Sequence, residues 1–269
     1  MKIHPTAVIH PKAVLADDVE VGAYSVVGEH VTIGAGTRVL SHVSIDGWTD
    51  IGERCELHPF VSVGGPPQHM QYKGEPTKVV IGHDNILREY VTVNRATVQG
   101  GGVTTVGHSN FLMAYVHVAH DCHLGNHLIL ANAASLAGHI SIGDHAIIGG
   151  LSGIHQFVRI GAYAMVGGCC ALGQDLPPFM RAAGGYRARM YGLNSIGLRR
   201  HGFSAERIAA LKKAYEVLFR SGHRVAEAVK LAREQFGASQ DVLQVADFMQ
   251  GTKRGICRSV GKDQEGEEE

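Results

Sequence analysis

The chain has 269 residues, 45% of them hydrophobic, and its 25 Lys or Arg balance its 25 Asp or Glu to a formal net charge of zero. That composition fits a globular chain with a sizeable core and gives no reason to expect nucleic acid as a partner. Five cysteines (Cys55, Cys122, Cys169, Cys170, Cys257) fall in no metal-binding spacing, and neither a signal peptide nor an apolar run long enough to cross a bilayer is present, so a reducing, cytoplasmic setting is expected.

From the N-terminus an aliphatic residue recurs at every sixth position: Ile3, Ile9, Leu15, Val21, Val27, Ile33, Val39, Ile45, Ile51, Leu57 and Val63. The same period returns at Ile81, Leu87 and Val93, then runs from Val106 to Leu172. Neither a helix nor an alternating strand spikes at every sixth residue over such a distance, whereas a hexapeptide β-helix does. Two places before the spikes stand small or β-branched residues such as Ala7, Val19 and Ser25, and glycine often follows, as at Gly22, Gly34 and Gly52. Each unit therefore reads as a short strand and a turn, with the spike facing a narrow axial core. Three units make an 18-residue triangular coil, and coils stack about 4.8 Å apart, the spacing of paired strands. The spikes number 26 units, or between eight and nine coils.

Two segments break the period. The first, residues 64–79, separates Val63 from Ile81 by eighteen residues, which reads as one full coil with register kept; the second, residues 94–105, shifts it, since 93 to 106 is thirteen. Loops that leave so regular a coil beside a histidine-rich stretch point to a site. The repeat ends near Gly173 to Pro178, where paired prolines stop strand pairing. Residues 1–180 are thus expected to form the β-helix and 181–269 a helical domain with an acidic tail at 263–269. Ser204 reads as the N-cap of a helix over 205–219, followed by helices over about 225–236 and 241–249. Between 181 and 262 there are 16 Lys or Arg against six Asp or Glu, a basic end suited to a phosphorylated ligand or an acidic protein unless the tail simply balances it.

Coil arithmetic shows which histidines share a wall. Eighteen beyond His120 lies Gly138, beside His139; thirty-six beyond lies Gln156, beside His155; His117 is on the same unit as His120. Three chemistries fit such a cluster. His117, His120 and His123 suggest a metal, as in hexapeptide-repeat carbonic anhydrases, but three histidines three apart on this coil do not all point to one centre, so no metal is expected. His123, His127 and His145 suit a structural ladder. His120 with Asp121 and the Gly138 N–H supplies a general base and an oxyanion donor, and no nucleophilic serine or cysteine is needed if the acyl donor is already a thioester.

The strings AHDCHLGN, LANAASLAGH, IIGGLSGIHQF and VGGCCALGQDLPP, with QYKGEPT and TVQGGG, resemble the UDP-N-acetylglucosamine acyltransferases that begin lipid A synthesis, over almost the whole chain. The resemblance implies a mainly β fold, a left-handed parallel β-helix with a C-terminal α-helical domain. It implies a homotrimer with sites between subunits and no cofactor. The reaction implied is transfer of an (R)-3-hydroxyacyl group from acyl carrier protein to the 3-position of the UDP-sugar. On motif match His120 is the base, Asp121 its orienting partner and Gly138 the oxyanion donor. His117, His139, His155 and Gln156 line the groove, with Asn194, Arg199 and Arg200 near nucleotide or carrier. Gly168 matches the position that measures acyl length, and glycine there leaves room for about fourteen carbons in a neighbour's groove. The related enzyme with an N-terminal uridine-binding domain is not expected, because the repeat begins at Ile3.

Two departures alter the implied site. Where familiar members carry Asp and Lys near the sugar, this chain has His69 and Gln71, as in members that prefer the 3-amino sugar and form an amide. The family's Asn-x-Glu string reads Asn194-Ser195-Ile196. An acyl-coenzyme A-dependent hexapeptide acyltransferase is the competing class, without an expected large basic helical domain.

Overall fold

The computed structural model describes residues 1–258; the expected acidic tail lies outside the described residues. The six-residue units form short strands, each offering its spike inward and the residue before it outward. Three parallel sheets result, of 11, nine and eight strands among the described residues. The first starts at Lys2–Ile3, the second at Val8–Ile9 and the third at Val14–Leu15. Rungs pair at intervals of 18, as Lys2 with Glu20 and His117 with Ser135. The spikes fill the axis: Leu57, Leu87, Leu112, Leu130 and Leu136 are fully buried. The chain thus has the hexapeptide-repeat β-helix followed by a C-terminal helical region.

The corners are sharp, and many non-glycine corner residues sit at positive φ, a backbone region sparsely used by side-chain-bearing residues. At the corner between the first and second sheets this produces a ladder of stacked rings: Tyr24, His42, Phe60, Tyr90 and Tyr115, with centroids 4.8–5.2 Å apart. At the corner between the third and first sheets His127 and His145 stack at 4.8 Å, continuing to Tyr163. The regular rise of the coil places each ring over the one below.

The first loop departs from the expected register. Ser62 pairs with Thr92 and Trp48 with Lys78, intervals of 30 instead of 18, so Ile81 belongs to the third sheet and not to the sheet of Val63. The loop is a 12-residue insertion at one corner, not a complete coil; the multiple of six between spikes conceals this. Across the second loop the interval is 25 (Thr92 with His117), an insertion of seven. Both loops leave at the corner between the second and third sheets.

The coil does not stop at 180. Met180–Ala183 adds to the first sheet beside Met165–Val166, and Arg189–Leu193 pairs with it antiparallel, so the sheet crosses the expected 180/181 boundary. Helices follow: α1 (Ser195–Arg200), α2 (Ala205–Tyr215), α3 (Val225–Phe236) and α4 (Gln240–Gln250). Ser204 caps α2, accepting from the Arg207 N–H. The expected 205–219 helix turns to π geometry at Glu216–Arg220, and α1 was not legible in the periodicity. Truncating an axial spike, Leu112→Ala, should cost about 2–5 kcal/mol, because neighbouring rungs cannot collapse into the space; denaturant unfolding with unchanged far-UV spectrum checks this.

Candidate active site

His120 and Asp121 occupy the corner between the second and third sheets, immediately above the two loops. Asp121 takes positive φ (61°), as do His139 and Phe157 above it. Its side chain is fully buried. Burying a carboxylate requires donors, and the second loop supplies them. The Thr97 N–H donates to Oδ1 and the Thr97 hydroxyl to Oδ2, both at 2.8 Å. The Asp121 N–H in turn donates to the Thr104 hydroxyl. Gly100 is pressed so close to the carboxylate that a Cβ there would collide with it.

Asp121 Oδ2 lies 2.7 Å from His120 Nδ1. This pairing orients the imidazole and leaves Nε2 as the free ring nitrogen, the arrangement by which a carboxylate fixes a catalytic histidine. His139 Nε2 stands 3.6 Å from the same oxygen, with its ring edge-on to His120 and stacked on Phe157. Burial lowers the His139 pKa below its usual value, against the pull of Asp121. Burial also lowers that of His117, and the charge of His120 acts in the same sense. Both rings are therefore neutral at neutral pH. His117 Nδ1 is 2.7 Å from the Thr92 hydroxyl, one rung below.

Gly138 sits directly against the His120 ring. A Cβ built there would stand 2.6 Å from Cε1 and 2.9 Å from Nε2. The chain turns here so that the Gly138 carbonyl accepts from Phe157 and the His139 N–H donates to the His120 carbonyl. Among the described residues none accepts from the Gly138 N–H. Glycine thus brings a free backbone donor to the imidazole.

Above these residues opens a cavity of about 730 Å³, lined by His117, His120, Gly138 and His155 and capped by Tyr186 and Arg187. Its floor is the rung His117, Ser135, Gly153, Ala171, one residue per coil. After the histidine the side chains are small, so the second sheet presents an apolar trough along the axis, suited to an extended hydrocarbon chain.

Of the residues singled out from sequence, the structure brings together His69, His117, His120, Asp121, Gly138, His139 and His155. The His69 ring lies 5.4 Å from that of His120, carried there by the first loop. Gln71 and Gln156 are exposed and do not line the cavity; Gln68, earlier on the same loop as Gln71, does. Gly168 lies at the corner between the first and second sheets, against Gly150. Asn194 differs most from expectation: its Oδ1 accepts from the Gly197 N–H as the cap of α1, and its Nδ2 donates to the Tyr163 carbonyl, so its amide is engaged within the fold. Arg199 and Arg200 are exposed on α1, whose C-cap His201 packs against His145 and Tyr163 at the corner between the third and first sheets. His117 and His123 lie on different sheets, and His123 faces Thr105. One histidine–carboxylate trio, His120, Asp121 and His139, brings its ligand atoms within 4.8 Å among the described residues, but both imidazoles already face one Asp121 oxygen. Thr97, Gly100 and Thr104 were missed as holders of Asp121, although the TVQGGG string contains two of them.

Comparison with known proteins gives this constellation its context. Residues 175–257 match the family model described as UDP N-acetylglucosamine O-acyltransferase, domain 2, and residues 1–35 match that for the bacterial transferase hexapeptide. The acyl-[acyl-carrier-protein]–UDP-N-acetylglucosamine O-acyltransferase of Thermodesulfovibrio yellowstonii is 52% identical over 257 residues, covering 96% of this chain and 99% of that protein. The chain belongs to the UDP-N-acetylglucosamine O-acyltransferase family. The Ralstonia nicotianae relative is 54% identical over 266 residues, covering 96% and 98%. Among solved structures, LpxA from Acinetobacter baumannii superposes with a TM-score of 0.93 at 42% identity, covering 95% and 99%. The Arabidopsis UDP-N-acetylglucosamine acyltransferase gives 0.84 at 31%, covering 95% and 100%.

In this acyltransferase, Gly138→Ala should leave the coil folded and displace the His120 ring. Because misplacing a reacting group by about 1 Å costs on the order of 100-fold, kcat should fall by about that factor at unchanged unfolding temperature.

Proposed function

We propose that the chain transfers an (R)-3-hydroxyacyl group from acyl carrier protein to the 3-hydroxyl of UDP-N-acetylglucosamine, the first step of lipid A biosynthesis. The observation that carries the mechanism is His120, oriented by buried Asp121 and pressed against Gly138. His120 Nε2 takes the proton of the sugar 3-hydroxyl as that oxygen attacks the thioester carbon. The carbonyl oxygen becomes an oxyanion and accepts from the Gly138 N–H. Collapse breaks the C–S bond, and the imidazolium returns its proton to the departing thiolate. Asp121, 2.7 Å from His120 Nδ1, holds the ring and stabilises the imidazolium. The trough over Ser135, Gly153 and Ala171 takes the acyl chain.

A homotrimer completes this reading. The ring ladder is exposed along its corner: Tyr24, Phe60, Tyr90 and Tyr115 are 42–61% accessible and Leu151 above them 70%. A continuous apolar edge of this kind is characteristic of a subunit interface. Gly168 lies on the same edge, three coils above the level of His120, or roughly 14 Å. An edge seated in a neighbour's groove would bring Gly168 to the far end of the acyl trough; Arg199 and Arg200, exposed on α1, would meet the acidic carrier or the nucleotide. Substrate chemistry of this kind belongs in the cytoplasm; no helix of the described residues is long and apolar enough to cross a membrane.

His120→Ala should abolish transfer almost completely while the oligomer elutes unchanged in size-exclusion chromatography with light scattering; retained activity would exclude His120 as base. A second reading is favoured by one observation: His69, an imidazole whose ring lies 5.4 Å from that of His120 where familiar members carry an aspartate, suits a 3-amino acceptor and an amide product. Competition between the 3-hydroxyl and 3-amino sugars, with products resolved by mass spectrometry, decides both linkage and chain length. The ester reading requires equal or better use of the hydroxyl sugar, and the open Gly168 position requires fourteen-carbon transfer to exceed ten-carbon transfer.

A further inference from the structure

Arg95 stands apart from the other charged residues of the chain. It is 93% buried (7% accessible), yet no carboxylate lies within ion-pair distance of it among the described residues, and its Nε has no hydrogen-bond partner. An isolated buried cation is costly, so its retention calls for a compensating role. Its guanidinium lies over two rings, 5.4 Å from the centroid of Trp48 and 5.9 Å from that of Tyr72. Gly47, at φ 60°, makes the space; a Cβ there would overlap the guanidinium.

The contacts of Arg95 run to both limbs of the first loop. Its N–H donates to the Gly65 carbonyl at the loop's start, while the adjacent Asn94 Nδ2 donates to the Pro66 carbonyl. Its NH2 donates to the Tyr72 hydroxyl at 2.9 Å, and that hydroxyl donates to the Glu75 carbonyl on the returning limb. Between these anchors the loop crest carries Gln68 into the groove and His69 against His120. Two residues beyond Arg95, Thr97 holds Asp121 with two hydrogen bonds. One short segment, residues 94–97, therefore grips both the loop that closes over His120 and the carboxylate that orients it.

We propose that Arg95 is a positioning residue that clamps the 64–79 loop, through Tyr72 and Trp48, over the acceptor end of the groove. The loop leaves the coil two rungs below His117, whereas the acyl trough rises above it. The crest consequently bounds the lower end of the cavity, where the sugar is presented, and not the donor's hydrocarbon path. The guanidinium suits the task because it offers planar faces to two rings and directed donors at its edge; an ammonium cannot do both.

This inference rests on the acyltransferase reading, and the test separates the two. Steady-state transfer is measured on the intact protein with UDP-N-acetylglucosamine and acyl carrier protein thioester varied in turn. Tyr72→Phe removes only the hydroxyl that joins the clamp to the loop, and Arg95→Lys keeps the charge without the fork. Both should raise KM for the UDP-sugar by at least about fivefold, while kcat and KM for the carrier stay within about twofold. The double variant should be no worse than the poorer single one, since both break one linkage. Trp48 is the chain's only tryptophan, so its emission should shift in Arg95→Lys and not in Tyr72→Phe. If Arg95→Lys fails to fold, Tyr72→Phe alone decides. Unchanged KM for the UDP-sugar in an active enzyme overturns the clamp, as does a parallel loss in kcat and both KM values, the mark of general destabilisation. A wild-type protein that neither transfers nor binds UDP-N-acetylglucosamine overturns the acyltransferase reading itself.

Discussion

Everything functional in this molecule hangs on the parallel rung, in which a residue pairs with the one eighteen positions on while its aliphatic neighbour drops into the axial core. Strand pairing and apolar burial are satisfied by the same repeat, so neither can slip without breaking the other. The pairing of His117 with Ser135, then Gly153, then Ala171 turns this regularity into a ruled surface. Residues distant in sequence meet at fixed separation, and a substrate laid along the trough meets a scaffold that hardly yields. Stiffness matters because a general base and an oxyanion donor act only when held at near-reactive geometry.

The corner that carries His120 and Asp121 departs from that regularity in a controlled way. A buried carboxylate would normally be destabilising in a narrow β-helix. Asp121 is tolerated because the second loop folds back and gives its carboxylate the Thr97 N–H and hydroxyl, while the coil provides His120. The loops are therefore part of the electrostatics and not decoration on the coil. The same corner carries three residues whose backbone conformation is unusual for side-chain-bearing residues, Asp121, His139 and Phe157, one on each successive coil. His139 then lies between Phe157 and His120, packed on one and edge-on to the other, which keeps it neutral and leaves Asp121 to serve His120. Gly138 completes the arrangement, because only a residue without a side chain lets the imidazole approach the backbone N–H.

Much of this was legible beforehand. The six-residue spikes determined the repeat, and adding eighteen correctly aligned His120 with Gly138 and Gln156. The helices over 225–236 and about 241–249 followed from periodicity and caps. The first loop misled, because twelve inserted residues are a multiple of six: the spikes stayed in phase while twelve residues left the coil at one corner. For the same reason, the common origin of both loops at the corner beneath His120 was invisible. For Asn194 a motif match could not show that its amide caps a helix and binds the Tyr163 carbonyl.

By itself the sequence determined the repeat, the inward column, the family likeness and the alignment of His120 with Gly138, because these depend on spacing along the chain. Only the tertiary structure decided which corner each loop leaves, what hydrogen-bonds to Asp121, that Gln68 and not Gln71 lines the groove, and that Arg95 is buried between two rings. Those outcomes depend on how irregular segments fold back onto the coil. A loop has no period from which its path can be counted, and its contacts are set by burial and hydrogen bonding with partners far away in sequence.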